Sequence, residues 1–238
     1  MTAEAQPPTQ SPRREPEFDR FSTSYRDLLA DPMRSRFAGD PLYFHRKKVD
    51  LIAALLRGQG KNPRSMKWLD VGCGQGDLLR LGRNLFAEAA GCDPASTMLP
   101  DASQVPVHVQ TSPEELPFDD RSVDFVTAVC VFHHVHGPAR GALAREIRRV
   151  LAPDGYFCLI EHNPWNPVTR GIVKRCPVDV DAELLAAPEA KALLASAGLS
   201  PVQTRFFLYL PEKLKSLAQV EYWLGAIPLG GQYAVLCR

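Results

Sequence analysis

The chain has 238 residues, 45% of them hydrophobic and 23% charged, with 28 Lys and Arg against 27 Asp and Glu and a net charge of +1. Such a length and composition suit one domain with appendages, and the balanced charge argues against a nucleic-acid partner, whose backbone demands a concentrated basic face. No apolar run approaches the roughly 20 residues of a membrane span and no apolar leader opens the chain, so a cytoplasmic protein is expected.

The six cysteines (Cys73, Cys92, Cys130, Cys158, Cys176 and Cys237) include no C-x-x-C pair. They read as reduced thiols, and no metal site is expected from their spacing.

Residues 1–17 are polar and Pro-rich without periodicity, which predicts a disordered tail. Residues 18–60 carry helical apolar spacing through Phe21, Tyr25, Leu28 and Leu29, then Val49, Ile52, Leu55 and Leu56. Asp40-Pro41 separates the two stretches as an N-cap followed by proline. From there, 61–238, short apolar runs alternate with helical ones. Strands are predicted over 67–71, 87–92, 106–110, 123–130 and 155–161, with helices over 76–84, 95–101 and 138–151. The C-terminal part reads helix 187–197, strand 202–210, helix 212–224 and strand 232–237. This alternation predicts βαβ units and a parallel sheet. The basic runs Arg46-Lys47-Lys48 and Arg145 to Arg149 fall inside helical patterns and read as solvated faces.

The most informative segment is Trp68-Leu69-Asp70-Val71-Gly72-Cys73-Gly74-Gln75-Gly76-Asp77. An apolar strand ends in alternating glycines and opens a helix, so backbone N–H groups can come close to a ligand that a Cβ would block. Dinucleotide sites use G-x-G-x-x-G. Here Asp77 stands where that pattern places its last glycine, and Asp70 precedes the loop as an acid suited to a cationic ligand. A dinucleotide-dependent oxidoreductase is therefore disfavoured. Asp93 follows Gly72 by 93 − 72 = 21 residues at the end of the second strand, where α/β nucleotide folds bind ribose hydroxyls.

With the loop LDVGCGQG, the segments GCDPASTML and TSPEELPFDDRSVDFV, then CVFHHV and REIRRVLAPDGYFCLIEH, the chain resembles the class I S-adenosylmethionine (SAM)-dependent methyltransferases over residues 18–238. It looks most like the small-molecule branch typified by quinone-biosynthesis enzymes. The resemblance implies an α/β fold, a Rossmann-like doubly wound sheet of seven strands with an antiparallel last strand, under an N-terminal helical lid. It implies SAM as cofactor, yielding S-adenosylhomocysteine, with the methionine part on the loop of Asp70, Gly72, Cys73 and Gly74. Asp93, beside Pro94, would hold the ribose, Met98 would pack on adenine, and Ser112, Pro113 and Glu114 would lie near its amino group. The family often has Asp where this chain has Ser112. Cys130, closing the fourth strand, joins the cofactor-binding candidates.

Methyl transfer is an in-line displacement at an activated carbon, so positioning supplies most of the acceleration and a base is needed only if the acceptor must lose a proton. His133 and His134, just past the fourth strand, are the candidate catalytic bases. After the fifth strand, the Pro-rich stretch 161–170 is expected to be neither strand nor regular helix. Its His162, Asn163, Trp165 and Arg170, with Tyr25 and Phe44 from the lid, are the candidate substrate contacts. Lys48 or Arg46 could pair with the SAM carboxylate, although a solvated lysine is the commoner outcome. The function expected is methylation of a small molecule, at a hydroxyl oxygen. A nitrogen or carbon acceptor and a non-catalytic SAM-binding protein are the alternatives.

Overall fold

The computed structural model describes residues 17–102, 105–112 and 114–238; apart from Glu17, the tail expected over 1–17 lies outside them. Seven strands, β1 (Lys67–Val71), β2 (Glu88–Asp93), β3 (Val107–Val109), β4 (Val123–Val129), β5 (Leu151–His162), β6 (Pro201–Phe207) and β7 (Gln232–Cys237), form one sheet in the order β3-β2-β1-β4-β5-β7-β6. The pairings from β3 to β5 are parallel, and β7 runs antiparallel to both β5 and β6. The helices are α1 (Tyr25–Leu28), α2 (Pro32–Phe37), α3 (Tyr43–Gly58), α4 (Asp77–Gly82), α5 (Pro138–Val150), α6 (Pro167–Arg175), α7 (Ala187–Ser196) and α8 (Ala218–Leu224). No helix among the described residues is long and apolar enough to cross a membrane.

The sheet is buried on both faces because its central strands are apolar at most positions, and the period-2 alternation of a strand deals those residues to two layers. Leu69 and Val71 of β1, Val126 and Ala128 of β4, and Phe157 and Leu159 of β5 pack with Leu143 and Ile147 of α5 and Ala190 and Leu194 of α7. Trp68, Phe125, Cys158 and Ile160 pack on the opposite face with Ile52, Leu55 and Leu56 of α3 and Leu78 and Leu79 of α4. Most of α3, expected as part of a lid, is thus a core helix, and α1 and α2 are what covers the cavity described below.

Three local expectations are corrected. The helix expected over 95–101 is a single turn, Ser96–Met98, because Pro100 forces Leu99 into extended backbone. Asp40-Pro41 does not start α3: Asp40 Oδ1 accepts from Leu42 N at 2.8 Å, and the helix begins at Tyr43. The Asp-Pro start signal is realised instead at Asp31-Pro32, where Asp31 Oδ1 accepts from Met33 N and Arg34 N. The stretch 161–170 contains both a strand end and a helix start. Pro167 sits in the first turn of α6, where no N–H is missed, and Asn166 caps it by accepting from Thr169 N at 2.9 Å.

The β6–β7 edge depends on a close backbone approach. A Cβ at Gly230 would lie 2.5 Å from the Phe207 carbonyl oxygen and 2.7 Å from its nitrogen, neither of which can move without breaking the strand. Gly230→Ala is expected to destabilise the fold by about 1–3 kcal/mol, the usual cost of overpacking, read as a lowered melting temperature; an unchanged melting temperature would contradict this packing.

Candidate functional site

The loop after β1 is tied to β2. Gly72 N and Cys73 N both donate to Cys92 O, at 2.8 and 3.0 Å. Gly72, Gly74 and Gly76 have φ of +70°, +49° and +72°, and a Cβ on Gly72 would fall 2.4 Å from Val131 Cγ2. Glycine is therefore required at Gly72 both by backbone conformation and by space. Asp93 braces the turn, its Oδ2 accepting from Gly74 N at 2.8 Å and its Oδ1 from Ala95 N at 2.9 Å. Burial pushes the Asp93 carboxyl up, against the two N–H bonds that favour its charge. Asp77, opening α4, pairs with Arg80 and with Arg26 of α1.

Asp70, near the end of β1, is buried and belongs to a short chain of hydrogen bonds. Trp68 Nε1 donates to Thr127 Oγ1 at 2.8 Å, and that hydroxyl donates to Asp70 Oδ1 at 2.6 Å. Burial raises the Asp70 carboxyl to about 7, with Thr127 and Lys48 working against the rise and Asp93 adding to it. Lys48 itself is buried, only 6% exposed, which corrects the expectation of a solvated lysine. Arg46 is the solvated one of the pair and binds Asp40.

A cavity of about 640 Å³ runs from this loop to the ends of β4 and β5. Asp70, Gly72, Cys73, Gly74 and Lys48 line its near end, and Cys130, His133, His134, His162 and Asp179 its far end. Tyr25, Phe37 and Phe44 contribute to its cover. At the far end Glu161 is 1% exposed. Its Oε1 accepts from Val131 N at 3.1 Å and Phe132 N at 2.8 Å, and its Oε2 faces His133 Nδ1 in a short contact. Burial opposes charge on His133, yet Glu161 and Asp179 outweigh it and raise its pKa. Glu161 is held low for the reciprocal reason, the His133 charge outweighing its burial. Burial lowers His134. Asp179 Oδ1 stands 3.4 Å from His134 Nε2 and 3.7 Å from His133 Nε2.

Cys130 adopts φ +57°, a left-handed conformation unusual for a side-chain-bearing residue. Burial alone would raise its thiol, but His162 and Lys48 bring it down to about 7, and Gln232 Nε2 lies 3.3 Å from its Sγ. Cys73, in the glycine loop, has its thiol pushed well up by burial.

The candidates from sequence fall into three groups. Asp70, Gly72, Cys73, Gly74, Cys130, His133, His134, His162, Tyr25 and Phe44 all line the cavity. Asp93, Pro94, Met98, Ser112 and Glu114 do not line it; Asp93 and Met98 lie against Gly74 of the loop, and Pro113 is outside the described residues. Ser112 Oγ accepts from Glu114 N at 3.0 Å, and the turn Glu17–Phe21 covers this side, with Thr97 Oγ1 donating to Asp19 Oδ1 at 2.6 Å. Asn163, Trp165 and Arg170 are not on the cavity wall either. Asn163 is fully buried and its amide donates to Pro228 O and Gly230 O, a brace for the β7 approach, while Trp165 and Arg170 face outward. Asp179, His45 and Gln232 were missed. They come from distant segments with no motif of their own, and only tertiary contact brings them to the site.

Residues 69–159 match a family model described as a methyltransferase domain. An uncharacterised methyltransferase of Bacillus subtilis, YcgJ, is 32% identical over 109 residues, 42% of this chain and 42% of that protein. The matched segment is thus less than half the length of the curated relatives. Among solved structures, a SAM-dependent methyltransferase of Thermotoga maritima superposes with a TM-score of 0.63 at 18% identity, covering 92% of this chain and 97% of that one. One from Archaeoglobus fulgidus gives 0.58 at 18% identity, over 83% and 99%. The fold is theirs over most of the chain, and the segment 69–159, which carries the glycine loop, β4 and most of β5, matches the methyltransferase-domain model.

Proposed function

We propose that this protein transfers a methyl group from SAM to an oxygen of a small organic acceptor. The observation that carries this reading is a single cavity with a glycine turn and a buried, uncompensated carboxylate at one end and a cluster of imidazoles and acids at the other. Its volume lies in the range of small-molecule sites, about 300–1,000 Å³.

The near end fits the cofactor. Glycines in left-handed conformation leave the turn without the Cβ atoms that would block a ligand's approach to the backbone, and Asp70, held near neutrality by burial, gains its full charge when a cation arrives. Lys48, buried in the same wall, suits the carboxylate of an amino-acid moiety, and Asp93, at the end of β2, suits ribose hydroxyls. Bound there, SAM supplies a methyl carbon already activated by its sulfonium. The chain's own task is then to orient the acceptor and keep water out. α1 and α2 cover the cavity and are fastened by the partly exposed pairs Arg26–Asp77 and Arg175–Asp31. Such pairs are each worth about 0–1 kcal/mol, so the cover opens at little cost. His133 and His134, already tied to Glu161 and Asp179, act as the group that fixes the acceptor oxygen.

Thermal melting with S-adenosylhomocysteine, SAM and NAD in parallel tests the cofactor. At 100 times the dissociation constant a ligand adds about 2.7 kcal/mol, roughly 5–11 °C for a chain of this size. Shifts with the two sulfur compounds, weakened in Asp93→Asn and absent with NAD, are expected; no shift with either would overturn the reading. For the acceptor end, His134→Ala should lower turnover by about 10²-fold or more while leaving the SAM-induced shift in place, and unimpaired turnover would remove the histidine from the mechanism.

The Asp70 carboxyl adds a pH signature. Its pKa rises from 3.8 unfolded to about 7 folded. The folded chain therefore holds that proton more tightly, so its contribution to stability is complete below about pH 4 and is lost as pH rises through 7. Melting temperature should fall less over this range in Asp70→Asn than in the wild type. Affinity for the cationic cofactor should rise with pH through 7 in the wild type alone. Identical profiles for the two proteins would count against a cation at Asp70.

A further inference from the structure

We propose that His133, His134 and Asp179 form a binding site for one divalent first-row transition-metal ion at the acceptor end of the cavity. One ligand atom of each lies within 4.8 Å of those of the other two. The closest approaches, 3.4 Å from His134 Nε2 and 3.7 Å from His133 Nε2 to Asp179 Oδ1, are close to the roughly 3.3 Å that separates ligands sharing a tetrahedral ion at 2.0–2.1 Å. Two imidazoles and a carboxylate make a donor set that favours zinc, iron, cobalt or nickel over magnesium or calcium.

The second observation is an orphaned atom. His133 is 1% exposed, and its Nε2 has no hydrogen-bond partner although it points toward His134 and Asp179. A buried imidazole nitrogen without a partner is costly and rare, and a metal ion is one of the few ligands that satisfies it. The opposite ring nitrogen is held in the manner of a metal site, since Nδ1 faces Glu161 Oε2 while Glu161 Oε1 is fixed by the Val131 and Phe132 N–H groups. This carboxylate–histidine pairing sets the ring's orientation, and the ion would take the place of the Nε2 proton that the two acids favour in the metal-free chain. All three ligands line the cavity, so the remaining coordination positions open on the acceptor.

The ligand class follows from the open positions, which would take an acceptor with an ionisable hydroxyl, alone or beside a second oxygen. Coordination to the ion lowers the hydroxyl pKa toward neutrality. Its O–H bond breaks, the proton leaves to water, and the electron pair stays on the oxygen that receives the methyl group. The imidazoles are then ligands and positioning groups, and no protein base is required. This role rests on the methyl-transfer reading; the metal site itself does not.

The test titrates the chelator-treated full-length chain with zinc chloride by calorimetry and with cobalt chloride by visible absorption, with neither SAM nor acceptor present. One zinc per chain is expected, with affinity at least ten-fold weaker in both His134→Gln and Asp179→Asn and their metal-free melting temperatures close to the wild type. Cobalt should give ligand-field bands without thiolate charge transfer, a readout on the unaltered chain that does not depend on any variant folding. No zinc binding, equal binding in both variants, or a thiolate-cobalt spectrum would each overturn the site. Because the titration contains no methyl donor, its failure leaves the methyl-transfer reading standing, and failure of SAM binding leaves the titration's result standing.

Discussion

The far half of the site depends on one buried carboxylate. Glu161 sits near the end of β5 opposite Tyr233 of β7 and is buried. A charge there costs several kcal/mol unless its lone pairs are used, and they are: two backbone N–H groups and one imidazole converge on it. Meeting that demand forces the chain leaving β4 to double back at once. Cys130 takes its left-handed conformation, Val131 closes over Gly72, and His133 is drawn into the core beneath His134. The conformation of both ends of the cavity thus passes through the residues that satisfy Glu161.

The cavity lies at the carboxyl ends of β1, β4 and β5, around the point where strand order reverses, with β2 and β3 on one side of β1 and β4 on the other. Open α/β sheets bind ligands at this point because the loops diverge and leave a crevice. Two buried carboxylates divide the work. Glu161 already has a cation in His133 and is held low, whereas Asp70 has a hydroxyl and a more distant ammonium and is pushed up to about 7. The first is a finished structural element. The second is uncompensated, and its missing charge is what a cationic ligand would provide.

Where local chemistry decided the backbone, the sequence was legible. β1 and β7 fall on the residues expected from their apolar runs, and the glycine loop, the seven strands and the antiparallel β7 all stand as the family resemblance implied. Errors came where a signal had two physical meanings. Proline can end a helix or open one, so the prolines of 161–170 read as irregular chain although Pro167 starts α6. A basic run can be solvated or can place one member inward, and Lys48 turns into the cavity while Arg46 stays outside.

The same division separates the two ends of the site. By itself the sequence determined the fold class, the glycine turn and the acids Asp70 and Asp93, because these features are encoded within one βαβ unit whose geometry follows from local steric rules. Only the tertiary structure decided which polar groups meet at the far end. Asp179 comes from the turn between α6 and α7, and Gln232 from the antiparallel last strand, and neither carries a local signal. Their roles arise from burial and from distances between segments far apart in the chain. Partnership of that kind is set by packing, which no spacing along the sequence records.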